Sequence, residues 1–270
     1  MARRAQALQP AGMASISRQS APGQSFHDIV AATGAWKPPL YLPVYAQLFE
    51  PIRALPLAIL ELGIHHGGSM KAWEAYFPAA RIAGVDIRLP AIEVGDRVRM
   101  FAGDQTDCRL LTRIAAEVAP GGFDVIIDDC SHIGALSKIS FWHLFENHLK
   151  PGGFYCIEDW GTGYLPTWPD GREWQIDPDT DDRMPSHEAG MVGFVKQLVD
   201  ELHAHMVTPV ARPSKFASMT LHTGVCIITK AGESSWPSAV GEPPAVCGPL
   251  QRLVRRLAGR RGRGGKGARR

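Results

Sequence analysis

The stretch Phe123-Asp124-Val125-Ile126-Ile127-Asp128-Asp129-Cys130-Ser131-His132 decides how this chain is read. An apolar run ends in two carboxylates, and a histidine follows three residues after the second. The pattern returns at Gly153-Phe154-Tyr155-Cys156-Ile157, which runs into Glu158-Asp159-Trp160. Both runs are short and rich in aromatic and β-branched residues, so both read as buried strands. A helix-like stretch near 135–149 and the turn Lys150-Pro151-Gly152-Gly153 lie between them. Such a strand–helix–strand unit makes the strands parallel, with their C-terminal ends side by side. Open α/β sheets bind ligands at that edge. Up to four carboxylates and His132 then meet at one rim, a gathering that is unfavourable unless a cation sits among them. The charge clash points to a metal site.

Upstream of this unit, apolar segments alternate between strand and helix. Residues 57–62 read as a first strand, 69–76 as a helix with Ser69 as its N-cap, 81–87 as a second strand and 97–102 as a third. A helix over 106–118 ends at Pro120-Gly121-Gly122. Downstream, 161–187 is rich in Trp, Pro and Asp and too long for an ordinary connection, which suggests a substrate lid. Residues 188–205 read as a helix, and 216–221 with 225–230 as a final antiparallel pair. The expected fold is α/β: a doubly wound, Rossmann-like sheet of about seven strands with a helical segment over 24–56 in front. In that segment Tyr41, Tyr45 and Phe49 form a stripe at helical spacing, which favours core packing over ligand contact.

The chain has 270 residues, enough for one large domain over 24–235 with a real core. No apolar run reaches 18 residues, so no membrane insertion is expected. Residues 1–23 carry three Arg, no acid and no apolar signal core, and read as a disordered leader in which Met13 offers a second start. Residues 251–270 carry nine Lys/Arg and no acid, so the Pro/Gly/Arg-rich stretch 236–270 reads as a disordered basic tail. All 27 acids therefore fall within 24–250, whose formal charge is −10. An acidic body argues against a nucleic-acid partner. Five cysteines without a CxxC pair fit a reducing cytoplasm better than a disulfide framework or a zinc site.

The first strand runs into Glu61-Leu62-Gly63-Ile64-His65-His66-Gly67-Gly68-Ser69. Glycines there let backbone approach a ligand closely at a helix start. Asp86 ends the second strand, where a carboxylate meets ribose hydroxyls in nucleotide folds. Gly103-Asp104 follows the third strand, a position near a base ring. The turn is neither GxGxxG nor a P-loop, so phosphate binding is not favoured.

These segments resemble the cofactor motifs of class I S-adenosylmethionine-dependent methyltransferases. The Asp-Asp-x-Ser-His and Ile-Glu-Asp segments narrow the likeness to the metal-dependent sugar O-methyltransferases of macrolide biosynthesis, over roughly residues 35–230. Polysaccharide-modifying and cephalosporin hydroxylase-like groups are similar too. The resemblance implies a sugar O-methyltransferase using S-adenosylmethionine and Mg²⁺ (or Mn²⁺ or Ca²⁺). It implies Asp129, Glu158 and Asp159 as metal ligands, and His132 with Asp129 as the catalytic pair, His132 being the general base. Glu61, Gly63, Ile64, Gly67, Ser69, Asp86 and Asp104 would hold the cofactor, with Asp128 beside them or as an anchor beneath the ligands. A homo-oligomer is expected by the same analogy. The family's Thr-Asp-Lys-like segment is matched by Thr33-Gly34-Ala35-Trp36-Lys37, without its acid. In the lid stretch Tyr164, Trp168, Trp174 and His187 are candidates for sugar contact, against a self-packed loop. A catechol-type enzyme, a hydroxylase-like member of the fold group and a non-catalytic cofactor-binding protein are the alternative readings.

Overall fold

The computed structural model describes residues 24–172, 174, 185–206 and 212–232. The leader 1–23, the tail 236–270 and most of 173–184 lie outside the described residues.

Seven strands form one sheet: β1 (Ala58–Leu62), β2 (Arg81–Asp86), β3 (Val98–Ala102), β4 (Phe123–Asp128), β5 (Leu149–Glu158), β6 (Phe216–Leu221) and β7 (Val225–Lys230). Their spatial order is β3-β2-β1-β4-β5-β7-β6. Strands β1 to β5 pair in parallel, and β7 is antiparallel to both β5 and β6. Every residue of β1 and β4 is buried, as a parallel sheet covered on both faces requires. The strand order reverses between β1 and β4, so the crevice outside their C-terminal ends is the expected ligand position.

Among the described residues there are six α-helices: α1 (Phe26–Thr33), α2 (Tyr41–Phe49), α3 (Gly68–Tyr76), α4 (Cys108–Val118), α5 (Gly134–Asn147) and α6 (Gly190–Leu202). Helix α4 buries Leu111, Ile114, Ala115 and Val118, one face at helical spacing. Three expectations shift. The N-cap of α3 is Gly67 at φ 87°, not Ser69, because the chain turns there through left-handed space. Helix α4 starts at Cys108, where Asp107 caps the free amides of Arg109 and Leu110. The turn expected at 150–153 lies within β5, where the register against β4 shifts between Phe123 and Val125.

The helical pair α1–α2 is fixed to the body by rings. Phe26 stacks on Trp73 at 5.3 Å, Tyr45 stacks on Phe49 at 5.1 Å, and Phe49 meets Phe77 edge-on. Gly68 at the start of α3 lies so close to Gly34 and Ala35 that a Cβ would stand 2.7–2.8 Å from their backbone atoms. Packing thus carries the loop between α1 and α2, with Lys37, to the C-terminal edge of the sheet.

Candidate active site

The ends of β1, β2 and β4 are knitted together by backbone. Gly63 N–H donates to the Val85 carbonyl and Asp129 N–H to the Leu62 carbonyl. Gly63 has φ 90°, and a Cβ there would lie 1.9 Å from the Asp129 carbonyl oxygen. Only glycine allows the cofactor-type loop to pass the acidic strand end this closely. The Asp86 carboxylate accepts the amides of Ile64 (2.8 Å), His65 (2.9 Å) and Arg88 (3.0 Å). Partial burial opposes ionisation of Asp86, but these three N–H groups hold it below the ordinary carboxylate range. Asp104 closes its own turn on the amide and hydroxyl of Thr106, which also lower it.

A cavity of about 630 Å³ opens at this edge. Of the expected cofactor residues, Gly63, Ile64, Ser69, Asp86 and Asp104 line it, and so do Asp129, His132 and Asp159. Four expected residues do not. Gly67 is the left-handed N-cap of α3. Glu61 is fully buried, with one oxygen on the Ser69 hydroxyl at 2.6 Å and the other on Lys37 Nζ at 3.2 Å. Asp128 is buried beneath the rim, 3.4 Å from both the Ser140 and the Tyr155 hydroxyls, with Oδ1 unpartnered. Burial pushes its carboxyl up to about 7. Glu158 alternates inward at the end of β5 and meets Lys37 Nζ and the Tyr45 hydroxyl, each at 2.7 Å. It therefore stands behind the other acids, apart from the group expected for it.

The acids that face the cavity surround an imidazole. His132 Nε2 lies 3.7 Å from Asp129 Oδ1 and 3.7 Å from Asp159 Oδ2. Ligand atoms of Asp129, His132 and Asp159 all fall within 4.8 Å of one another. Both His132 and Asp159 have φ 52°, an unusual conformation for residues with side chains. Thr162 helps hold that conformation by donating its hydroxyl to the His132 carbonyl at 3.2 Å. The Trp168 ring stands 5.7 Å from the imidazole, and its Nε1 donates to the Ser131 carbonyl. The Tyr41 hydroxyl donates to Asp159 Oδ1. In the lid stretch Tyr164, Trp174 and His187 pack on one another, and His187 Nε2 pairs with the Gly163 carbonyl. Among those four candidates only Trp168 reaches the cavity.

Lys37 is the residue that motif reading undervalued. Its ammonium, 1% exposed, binds Asp129 Oδ2 and Glu158 Oε1 at 2.7 Å each and Glu61 Oε1 at 3.2 Å. Burial opposes its charge, yet Asp129, Glu158 and Glu61 outweigh that and hold it well above its ordinary value. Burial also raises Glu61, and with Asp129 pushes Glu158 up to about 8. One ammonium faces three carboxyl groups, and Asp159 stands on the cavity side of them, so the rim holds more acids than the lysine can neutralise. Oxygen-rich donors with surplus charge suit a hard divalent cation, and the residues present fit one. Tyr41 and Tyr45, read as a packing stripe, bury their rings in the core and aim their hydroxyls at Asp159 and Glu158. Gln105 was missed as well; it lines the cavity and ties the Ser131 amide to the buried Ser140 hydroxyl. A polar residue after Asp104 carried no distinguishing signal.

Sheet order, switch-point cavity and acidic rim define a Rossmann-like methyltransferase fold. The chain is similar to the 8-demethyl-8-(2-methoxy-alpha-L-rhamnosyl)-tetracenomycin-C 3'-O-methyltransferase of Streptomyces olivaceus, at 35% identity over 60% of this chain and 40% of that one. It is 37% identical to the mycinamicin VI 2''-O-methyltransferase of Micromonospora griseorubida, over 60% of this chain and 39% of that one. Among solved structures it resembles the MycE methyltransferase of the mycinamycin pathway in complex with Mg, SAH and mycinamycin VI. That match has a TM-score of 0.62 and 29% identity, covering 80% of this chain and 58% of MycE. The chain thus spans about 40% of the length of these two curated relatives. No protein-family model matches it. Among the described residues no helix is long and apolar enough to cross a membrane.

Proposed function

We propose that this protein transfers a methyl group from S-adenosylmethionine to a sugar hydroxyl of a glycosylated small molecule, with Mg²⁺ held at the acidic rim. The observation that carries the reading is the meeting of Asp129, His132 and Asp159 within 4.8 Å, on the wall of the cavity that Gly63, Asp86 and Asp104 also line. The relatives' named substrates, rhamnosylated and macrolide glycosides, support the acceptor class.

Methyl transfer needs a deprotonating oxygen held in line with the methyl carbon. When bound, the cofactor supplies the methyl group and the ion supplies the Lewis acidity that favours an alkoxide. Asp129 and Asp159 would hold the ion, with Glu158 behind them. His132 takes the hydroxyl proton at Nε2, the nitrogen that faces Asp129 and Asp159; these two carboxylates then offset the imidazolium charge. Nδ1 is sealed from solvent. Trp168 shields the imidazole from water and, with the exposed Trp36 at the cavity mouth, offers a ring face to a sugar. Asp86 and Asp104 shape the cofactor loops through the amides they bind. A cytoplasmic setting and a homo-oligomer belong to the same proposal. The free thiols of Cys108, Cys130, Cys156 and Cys226 support the former.

The test is transfer of labelled methyl from S-adenosylmethionine to a panel of rhamnosylated and macrolide glycosides. Transfer that stops with EDTA and falls about 10²–10⁴-fold in His132→Ala supports the proposal. Transfer indifferent to EDTA and to His132→Ala contradicts it.

A further inference from the structure

Lys37 stands where two parts of the site join. Glu61 belongs to the end of β1, beside the cofactor-type loop, and its second oxygen is occupied by Ser69. Glu158 ends β5, and the oxygen it gives to Lys37 also accepts from Tyr45. Asp129 is shared: Oδ2 goes to Lys37, whereas Oδ1 faces His132 on the cavity side. Lys37 Nζ lies over the Trp73 ring, 5.7 Å from its centroid. Side chains of Lys37, Glu61 and Glu158 are all within 1% of full burial. Carboxylates so placed cannot turn to water and need an internal partner.

We infer that Lys37 is a built-in counter-cation, which ties the acid of the cofactor loop to the acids of the metal rim and leaves Asp129 Oδ1 and Asp159 for a divalent ion and His132 Nε2 for the hydroxyl proton. The inference rests on the metal site of the proposed function and adds a positioning residue to it. Nζ occupies the space between Glu61, Asp129 and Glu158, so an ion loads only on the far side of Asp129. Without the ammonium, three acids would face one another across a buried pocket, and a divalent ion or added protons would have to offset their charge.

Thermal midpoints in EDTA and in saturating Mg²⁺ test this on the full chain, for wild type, Lys37→Met and Lys37→Met/Glu158→Gln. Methionine keeps the stem and removes the charge. Removing one partner of a buried charge cluster should lower the Lys37→Met midpoint in EDTA by on the order of 10 °C. Mg²⁺ should then raise that variant more than it raises wild type, and adding Glu158→Gln should recover about half of the loss in EDTA. A merely structural side chain would give neither the larger Mg²⁺ gain nor the rescue. A Lys37→Met protein that melts with wild type in EDTA, or gains no more than wild type from Mg²⁺, overturns the inference. If Lys37→Met does not fold, a folded double variant supports the inference and an unfolded one overturns it. A wild type that gains nothing from Mg²⁺ counts against the metal site itself, whereas the loss measured in EDTA reads Lys37 alone.

Discussion

His132 Nε2 stands 3.7 Å from Asp159 Oδ2, and both residues hold left-handed backbone at φ 52°. Each conformation costs on the order of 1 kcal/mol for a residue with a Cβ. The cost is spent where two side chains must point into one cavity. Replacing Asp159 by glycine relieves the backbone but strands the Tyr41 hydroxyl, and these effects are of similar size. Asp159→Gly should therefore melt within a few degrees of wild type in EDTA, yet bind Mg²⁺ at least tenfold more weakly by calorimetry. A large loss of stability with unchanged Mg²⁺ affinity would assign Asp159 to the scaffold instead.

The contact between Gly63 and Asp129 predicts a sensitive position. A Cβ at Gly63 would stand 1.9 Å from backbone, and the positive φ adds strain. Gly63→Ala should lose about 3 kcal/mol or more in urea unfolding and weaken S-adenosylmethionine and Mg²⁺ binding together. Full stability in this variant would mean that the two loops are free to separate.

Asp128 predicts a pH dependence. Burial raises its folded pKa from 3.8 to about 7, so the fold favours the protonated form. That contribution is fully present below pH 3.8 and is lost as pH rises through about 7. Asp128→Asn, neutral throughout, should therefore gain on wild type between pH 4 and pH 8 by up to roughly 4 kcal/mol, an upper figure from the shift. Urea midpoints of the two proteins in EDTA measure the difference; a constant gap across that range would refute the assignment.

Cys130 lines the cavity, and burial pushes its thiol up to about 12, with the charge of Asp128 adding to it. A thiol so disfavoured as thiolate should react slowly with iodoacetamide at pH 8, and slower still once S-adenosylmethionine fills the cavity. Mass spectrometry of labelled peptides would show it; rapid labelling unaffected by cofactor would place the ligand elsewhere.

The strands and their parallel order were legible in the chain because 57–62, 123–127 and 153–157 are short apolar runs, the first ending at Gly63 and the other two closed by acids. Periodicity locates such elements well. The same pattern brought Asp129, Asp159 and His132 to one rim. It could not separate Glu158 from Asp159, because adjacent residues at a strand end point to opposite sides and only the packed N-terminal helices decide which side faces Lys37 and which faces the cavity. Lys37 was legible only as the remnant of a motif, since a lysine in a Trp-Lys-Pro-Pro loop reads as solvent-exposed until the ring cluster of Phe26, Tyr45 and Trp73 carries it inward. The tyrosine stripe showed its period and hid its hydroxyls, because helical spacing reports the buried face and says nothing of what lies at the ring's far end.

Calorimetric titration of S-adenosylmethionine into wild type and Asp129→Asn, first in EDTA and then with Mg²⁺, tests the methyltransferase reading most directly. Cofactor binding at about micromolar strength in both proteins, with a separate Mg²⁺ heat present in wild type and lost in Asp129→Asn, is the predicted result. Absence of cofactor binding to wild type would contradict it and leave the acidic rim to another chemistry.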